Sequence, residues 1–159
     1  MNTQPNYFDS ENVVQIAEMP LWPQHQNLHP DLSHQDHFIT RNGIRFAGYH
    51  MILDFWECGK LDCLKKMEEA LRSAIEKAKA TLLHIHLHHF TPNGGISGVA
   101  VLAESHISVH TWPEFGFAAF DIFMCGDSEP HKAVNVLRDV FKPGNYKVEE
   151  LKRGQGGQV

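Results

Sequence analysis

The chain has few cysteines, no excess of basic residues and no long apolar run. Only three of its 159 residues are cysteine: Cys58, Cys63 and Cys125. An odd count with no paired spacing argues against a disulfide framework and against a Cys-x-x-Cys zinc site. Lys and Arg number 14 against 19 Asp and Glu, a formal net charge of −5 with neutral His. Binding along a phosphate backbone needs clustered Lys and Arg, so no nucleic-acid partner is expected. No apolar run approaches the roughly 20 residues of a membrane span. The opening Met1-Asn2-Thr3-Gln4-Pro5 has no basic region followed by an apolar one. No signal peptide is expected, and a cytoplasmic location follows by default.

What remains is globular in kind. At 42% hydrophobic and 21% charged, the composition fits a soluble domain. The length fits one domain with a substantial core. Residues 1–42 differ from the rest. From Pro23 to His37 the chain is polar, without apolar periodicity, and includes His25, His29, His34 and His37. It reads as an extended arm with solvated imidazoles, which Leu21, Trp22 and Phe38 could pin to a surface.

The ordered domain is expected over 43–159. Gly48 to Trp56 alternates and is rich in aromatic residues, the pattern of a strand. Leu61, Leu64, Met67, Leu71, Ala74, Ile75 and Ala78 recur at three- and four-residue steps, the stripe of an amphipathic helix. Thr81 to Phe90 predicts a second strand, and Pro92-Asn93-Gly94-Gly95 a turn. Ser97 to His110 predicts a third strand, with Val99, Val101, Ala103, Ser105, Ile107 and Val109 on one parity. Trp112-Pro113-Glu114-Phe115-Gly116 turns the chain into a fourth strand, Phe117 to Met124. A second helix is expected from Ser128 to Pro130 onward, with Ser128 as cap and Pro143-Gly144 as stop. Tyr146 to Leu151 adds a short edge strand, and the tail from Arg153 reads as loose. The order β-α-β-β-β-α-β predicts an α+β two-layer sandwich: an antiparallel sheet with both helices on one face. A dimer packing sheet to sheet would cover the other face.

The chemistry concentrates in Glu104-Ser105-His106-Ile107-Ser108-Val109-His110-Thr111-Trp112-Pro113-Glu114 and in Cys125-Gly126, all within 23 residues. An acyl donor, a hydroxyl, two imidazoles, a carboxylate and a thiol suit a backbone N→O acyl shift and later acid–base work. In such a shift the Ser105 hydroxyl can attack the Glu104 carbonyl and turn the amide into an ester. A base removes the Ser105 α-proton and expels Glu104 as a carboxylate. The dehydroalanine left behind tautomerises and hydrolyses to a pyruvoyl group, releasing ammonia. The shift needs an oxyanion partner and a base near Cα.

This run closely resembles the self-processing segment of the small prokaryotic S-adenosylmethionine decarboxylases. The resemblance spans roughly residues 45–152 and is strongest at 97–126. It implies cleavage between Glu104 and Ser105, both chains retained, with Ser105 becoming the covalent pyruvoyl cofactor. It makes His110 the processing base and Ser97 the hydrogen-bond partner of the intermediate. Cys125 then returns a proton to the substrate α-carbon after CO2 leaves. Glu114 would hold the ribose hydroxyls, Phe90 would stack on adenine, and Trp112 belongs to the same substrate-facing run. The pyruvoyl carbonyl would form a Schiff base with the substrate amine and act as electron sink. S-adenosylmethionine is the implied substrate, its product the aminopropyl donor for spermidine.

The chain departs from the family in one place. Between Phe90 and Ser97 it reads Thr91-Pro92-Asn93-Gly94-Gly95-Ile96, one residue longer than is common. The same chemistry on L-ornithine or L-arginine therefore stays open. A non-catalytic regulatory homologue is a third reading, opposed by the intact Ser105, His110 and Cys125. His84, His86 and His88 share a strand face and could ligate zinc. They read instead as a polar face at an interface or pocket, because the chemistry needs no metal. Cys58 and Cys63 match no catalytic position and read as packing residues.

Overall fold

The structure, a computed structural model, describes residues 37–155. Most of the expected arm, with His25, His29 and His34, lies outside the described residues. A small hairpin comes first, β1 (Ile39–Arg41) and β2 (Ile44–Phe46). Its two-residue turn places Asn42 at φ 52° and Gly43 at φ 75°, the combination that Asn-Gly supplies in hairpins. Strand structure thus begins before Gly43.

The domain proper runs β3 (Gly48–Trp56), α1 (Leu64–Lys77), β4 (Leu82–His89), β5 (Ile96–Leu102), β6 (Ser105–Trp112), β7 (Phe117–Cys125), α2 (Pro130–Phe141) and β8 (Asn145–Arg153). One six-stranded antiparallel sheet has the order β4-β5-β6-β7-β3-β8. The two helices pack on each other and cover one face, as expected for this α+β sandwich.

The alternation read from the sequence explains the layers. In β3, Tyr49, Met51, Leu53 and Phe55 are buried, and in β7 so are Ala118, Phe120, Ile122 and Met124. Met67, Ala70, Leu71, Ala74 and Ile75 of α1 and Ala133, Val134, Leu137 and Phe141 of α2 close over them. Such side chains each contribute about 1.5–3 kcal/mol on full burial. The alternate residues form the opposite, open face. Among the described residues no helix is long and apolar enough to cross a membrane.

Four expectations need correction. The third strand, expected from Ser97 to His110, is two strands joined by the Ala103–Glu104 turn, with Leu102 paired to Ser105. A two-residue turn switches parity. Even-numbered Ile96, Ala100 and Leu102 face the core before it, and odd-numbered Ile107, Val109 and Thr111 after it. Ser128 does not cap α2; its hydroxyl donates to the Cys125 carbonyl at 2.7 Å, and Glu129 holds the cap position without a side-chain bond. Cys63 is exposed ahead of α1, whereas Cys58 is buried, with burial raising its thiol pKa and Lys66 partly offsetting the rise. The final strand, β8, is also longer than expected and pairs with β3 along nine residues.

Candidate active site

The Glu104-Ser105 bond sits at the β5–β6 turn, and Ser105 has φ +132°. The other non-glycine residues with positive φ among the described residues lie between 45° and 60°, in the left-handed helical region. Ser105 lies outside that basin, in a conformation costing on the order of 1–3 kcal/mol. The chirality of an L-residue offsets Cβ from the carbonyl carbon by roughly 120° about N–Cα. At φ +132° the Ser105 Cβ therefore almost eclipses the Glu104 carbonyl carbon. That torsion is unfavourable in an ordinary peptide. It is also the one needed to close the five-membered ring of Oγ, Cβ, Cα, N and the Glu104 carbonyl carbon.

The Glu104 carbonyl has a partner. The Cys125 backbone N–H donates to the Glu104 oxygen at 3.1 Å, a donor of the kind that stabilises a developing oxyanion. The Glu104 side chain is held as well: Thr81 donates its N–H to Oε2 at 2.8 Å and its hydroxyl to Oε1 at 3.2 Å. A hollow of about 320 Å³ lined by His37, Lys79, Ala103, Glu104 and Gly126–Ser128 opens at the turn and admits water.

Cys125 ends β7 beside Ser105, half-buried, on the strand parity of Phe123 and Asp121 on the open face. Its carbonyl accepts from Ser128, and the next N–H, that of Gly126, donates to the His37 carbonyl at 2.9 Å. The end of the arm is thus tied to the thiol-bearing turn. The exposed His37 ring remains at the surface.

The other expected residues gather at the far end of β6. Ser97 and His110 are register partners, with Ser97 Oγ 2.9 Å from His110 Nδ1. Trp112 packs against Phe117 at 5.2 Å, and Phe117 stacks on Trp56 at 5.6 Å. Phe90 is exposed, 4.5 Å from the His88 ring, and Glu114 is exposed in the 3-10 turn Pro113–Phe115. Five residues of strand separate Ser105 from His110, about 16 Å at 3.3 Å per residue. The expected residues therefore fall in two half-sites, the Ser105–Cys125 strand end and the His110 end, and a depression of about 280 Å³ at the second is lined by Asp54, Ser108, His110 and Asp121.

Between the half-sites lies a network that sequence reading missed. His50 Nε2 and His106 Nε2 both approach Asp121 Oδ1, at 2.8 and 3.2 Å. Arg153 donates to His50 Nδ1 at 2.9 Å, which leaves Nε2 to donate to Asp121. A lone acidic residue inside the otherwise apolar strand β7 was the available signal. Thr81, after the first helix, carried none. His84, His86 and His88 are exposed, and among the described residues no group of His, Cys, Asp or Glu is arranged to hold a metal ion.

Known proteins resemble this chain in sequence and fold. Residues 49–154 match the family model for S-adenosylmethionine decarboxylase. A Thermomicrobium roseum protein described as an S-adenosylmethionine decarboxylase proenzyme is 44% identical over 112 residues, 70% of this chain and 97% of the relative. A Methanococcus aeolicus protein of the same description is 46% identical over 114 residues, again 70% and 97%. The crystal structure of the adenosylmethionine decarboxylase from Aquifex aeolicus VF5 superposes with a TM-score of 0.63 at 32% identity, covering 69% of this chain and 92% of that one. The match spans the sheet, both helices and the Glu104-Ser105 turn, so the chain belongs to the S-adenosylmethionine decarboxylase family.

Proposed function

We propose that the chain cuts itself between Glu104 and Ser105, converts Ser105 into a pyruvoyl group, and decarboxylates S-adenosylmethionine to the aminopropyl donor of spermidine synthesis. The observation that carries the reading is the +132° φ of Ser105 beside a carbonyl already bonded to the Cys125 N–H. Together they supply the backbone torsion that ring closure needs and an oxyanion donor. Ser105 also fits the group: it is half-buried at a strand end, held by pairing to Leu102 and Met124. A pyruvoyl carbonyl there supplies an electron sink to an α-amino acid whose amine condenses with it.

The chain's own groups do the rest. Cys125, at the same strand end, holds a proton for the substrate α-carbon. With Nδ1–H donated to Ser97 Oγ, His110 keeps the Nε2 lone pair and can take the Ser105 α-proton. It cannot reach across about 16 Å of its own strand. A second copy packed sheet to sheet about a two-fold axis would set its β6 against this one in the opposite direction. His110, Trp112, Phe90 and Glu114 of one copy would then meet Ser105 and Cys125 of the other. A homodimer accordingly forms part of the reading, with S-adenosylmethionine held between the half-sites by aromatic packing and the Glu114 carboxylate. A cytoplasmic location is proposed with it.

Intact mass of the purified protein tests the processing. Two chains are expected, split after Glu104, the second blocked to Edman degradation; a single stable chain would overturn it. Release of labelled CO2 from S-adenosylmethionine, ornithine and arginine in parallel tests the substrate. Turnover of a basic amino acid with none of S-adenosylmethionine would replace the substrate and leave the pyruvoyl mechanism standing.

A further inference from the structure

We propose that Thr81 is a positioning residue for self-cleavage, acting through the Glu104 side chain; the inference rests on the processing reading above. Three hydrogen bonds join Thr81 to the scissile turn. Its N–H and hydroxyl donate to the two carboxylate oxygens of Glu104, and its carbonyl accepts from the Ala103 N–H at 3.0 Å. Glu104 is then fixed from two sides, its side chain by the residue just before β4 and its carbonyl by the end of β7.

Two anchors matter because of what Ser105 would do without them. A serine relaxes to ordinary extended backbone by swinging the Glu104-Ser105 peptide plane. That swing takes the carbonyl off the Cys125 N–H and carries the Glu104 side chain with it. Hydrogen bonds to an ionised carboxylate are among the stronger ones, so the Thr81 grip opposes the swing and keeps Cβ eclipsed on the carbonyl carbon. The grip is absent from the peptide chemistry itself. Any base and nucleophile would do the reaction, but only a held turn keeps them in register. Thr81 is exposed, so Thr81→Val and Thr81→Ser are expected to leave the fold intact.

The test is the rate of appearance of the two chains after synthesis of the full-length protein, in four forms compared with wild type. Thr81→Val keeps the shape and removes the hydroxyl; cleavage should slow about tenfold, the loss of one charge-assisted bond. Thr81→Ser restores the donor and should restore the rate. Glu104→Ala removes the acceptor and should slow cleavage further. In the Glu104→Ala background, Thr81→Val should slow it no more, since the two act as one unit. Thermal melts establish that all four are folded. Thr81→Val cleaving at the wild-type rate, Thr81→Ser as slow as Thr81→Val, or additive slowing in the double variant would each overturn the clamp while leaving self-cleavage standing. A wild-type chain that never splits would overturn both.

Discussion

The backbone N–H of Cys125 donates to the carbonyl of Glu104 across the end of the sheet. One residue therefore offers two groups to one place. Its main chain holds the Glu104 carbonyl, and its half-buried thiol sits at the same strand end as Ser105. The two roles are separable, because substitution changes the thiol and leaves the N–H.

Cys125→Ala is expected to self-cleave at least partly, since the oxyanion donor survives. Turnover should fall about 10²-fold, the scale of a lost general acid. Proton return to the wrong atom would transfer the amine and destroy the cofactor, so the variant should also inactivate faster during turnover. Mass analysis, CO2 release and progress curves measure the three. Unchanged turnover and lifetime would remove Cys125 from the mechanism.

Ser105→Ala and Ser105→Gly should both remain full length, having lost the hydroxyl. They should differ in stability. Alanine keeps a Cβ in eclipse with the Glu104 carbonyl at φ +132°, and glycine has none. Ser105→Gly is expected to be the more stable by about 1 kcal/mol, after the entropy that glycine loses on folding. Denaturant melts compare them; equal or reversed stability would mean that the turn is unstrained.

How much of this was legible depends on the kind of signal. Helix α1 showed itself because Met67, Leu71, Ala74 and Ile75 must share one face. Strand β3 showed itself because every second residue is apolar or aromatic and the sheet has a dry side. The break at Ala103–Glu104 did not. The odd-numbered apolar residues run on through the turn, and only strand pairing reveals that Val101 and Ile107 face opposite sides. Asn42-Gly43 is a hairpin signal that composition of the polar segment before it concealed. The candidate residues stand close together in the sequence, and the fold parts them. Five positions separate Ser105 from His110 in sequence, and extended backbone turns that small number into a span no side chain bridges. The Thr81 grip joins residues 23 positions apart through a carboxylate, which no local pattern encodes.

Glu129 links the helices at the back of this turn. Its N–H donates to the Ala78 carbonyl at 2.8 Å, and its carboxylate meets Lys79 and Lys132. Hydrogen bonds from Lys132 and then Lys79 lower its pKa from 4.5 to about 2. A folded-state value below the unfolded one gives stability that is present above pH 4.5 and lost as pH falls toward 2. Glu129→Gln should flatten the acid side of the stability profile in that window. Both lysines are exposed while the carboxylate is partly buried, so half-molar salt should shrink the difference without abolishing it. Melting temperature against pH at two salt concentrations is the measurement; parallel profiles for wild type and variant would dismiss the linkage.

Glu114 stands exposed beside the Trp112–Phe117–Trp56 aromatic row, at the His110 half-site. A site built on a polar contact discriminates strongly when that contact is lost. Glu114→Gln should lower kcat/KM for S-adenosylmethionine at least tenfold and affect self-cleavage less. Equal losses in the two reactions would place Glu114 in the processing step or in the fold instead.

The separation of the half-sites makes a sharper demand. If His110 acts on Ser105 of the other copy, two crippled chains can repair each other. Ser105→Ala chains keep His110 and cannot be cut; His110→Ala chains keep Ser105 and lack the base. Each alone should stay uncut, apart from an ester that hydroxylamine would open in the second. Co-expressed with distinguishable tags, the mixed dimer sets an intact His110 over an intact Ser105. About half of the protein should form that dimer if the chains associate at random, and within it only the His110→Ala chain can split. Its fragments should appear by mass, carrying the His110→Ala tag alone. Base and nucleophile acting within one chain would instead leave every chain whole at any mixing ratio, because no chain then holds both groups.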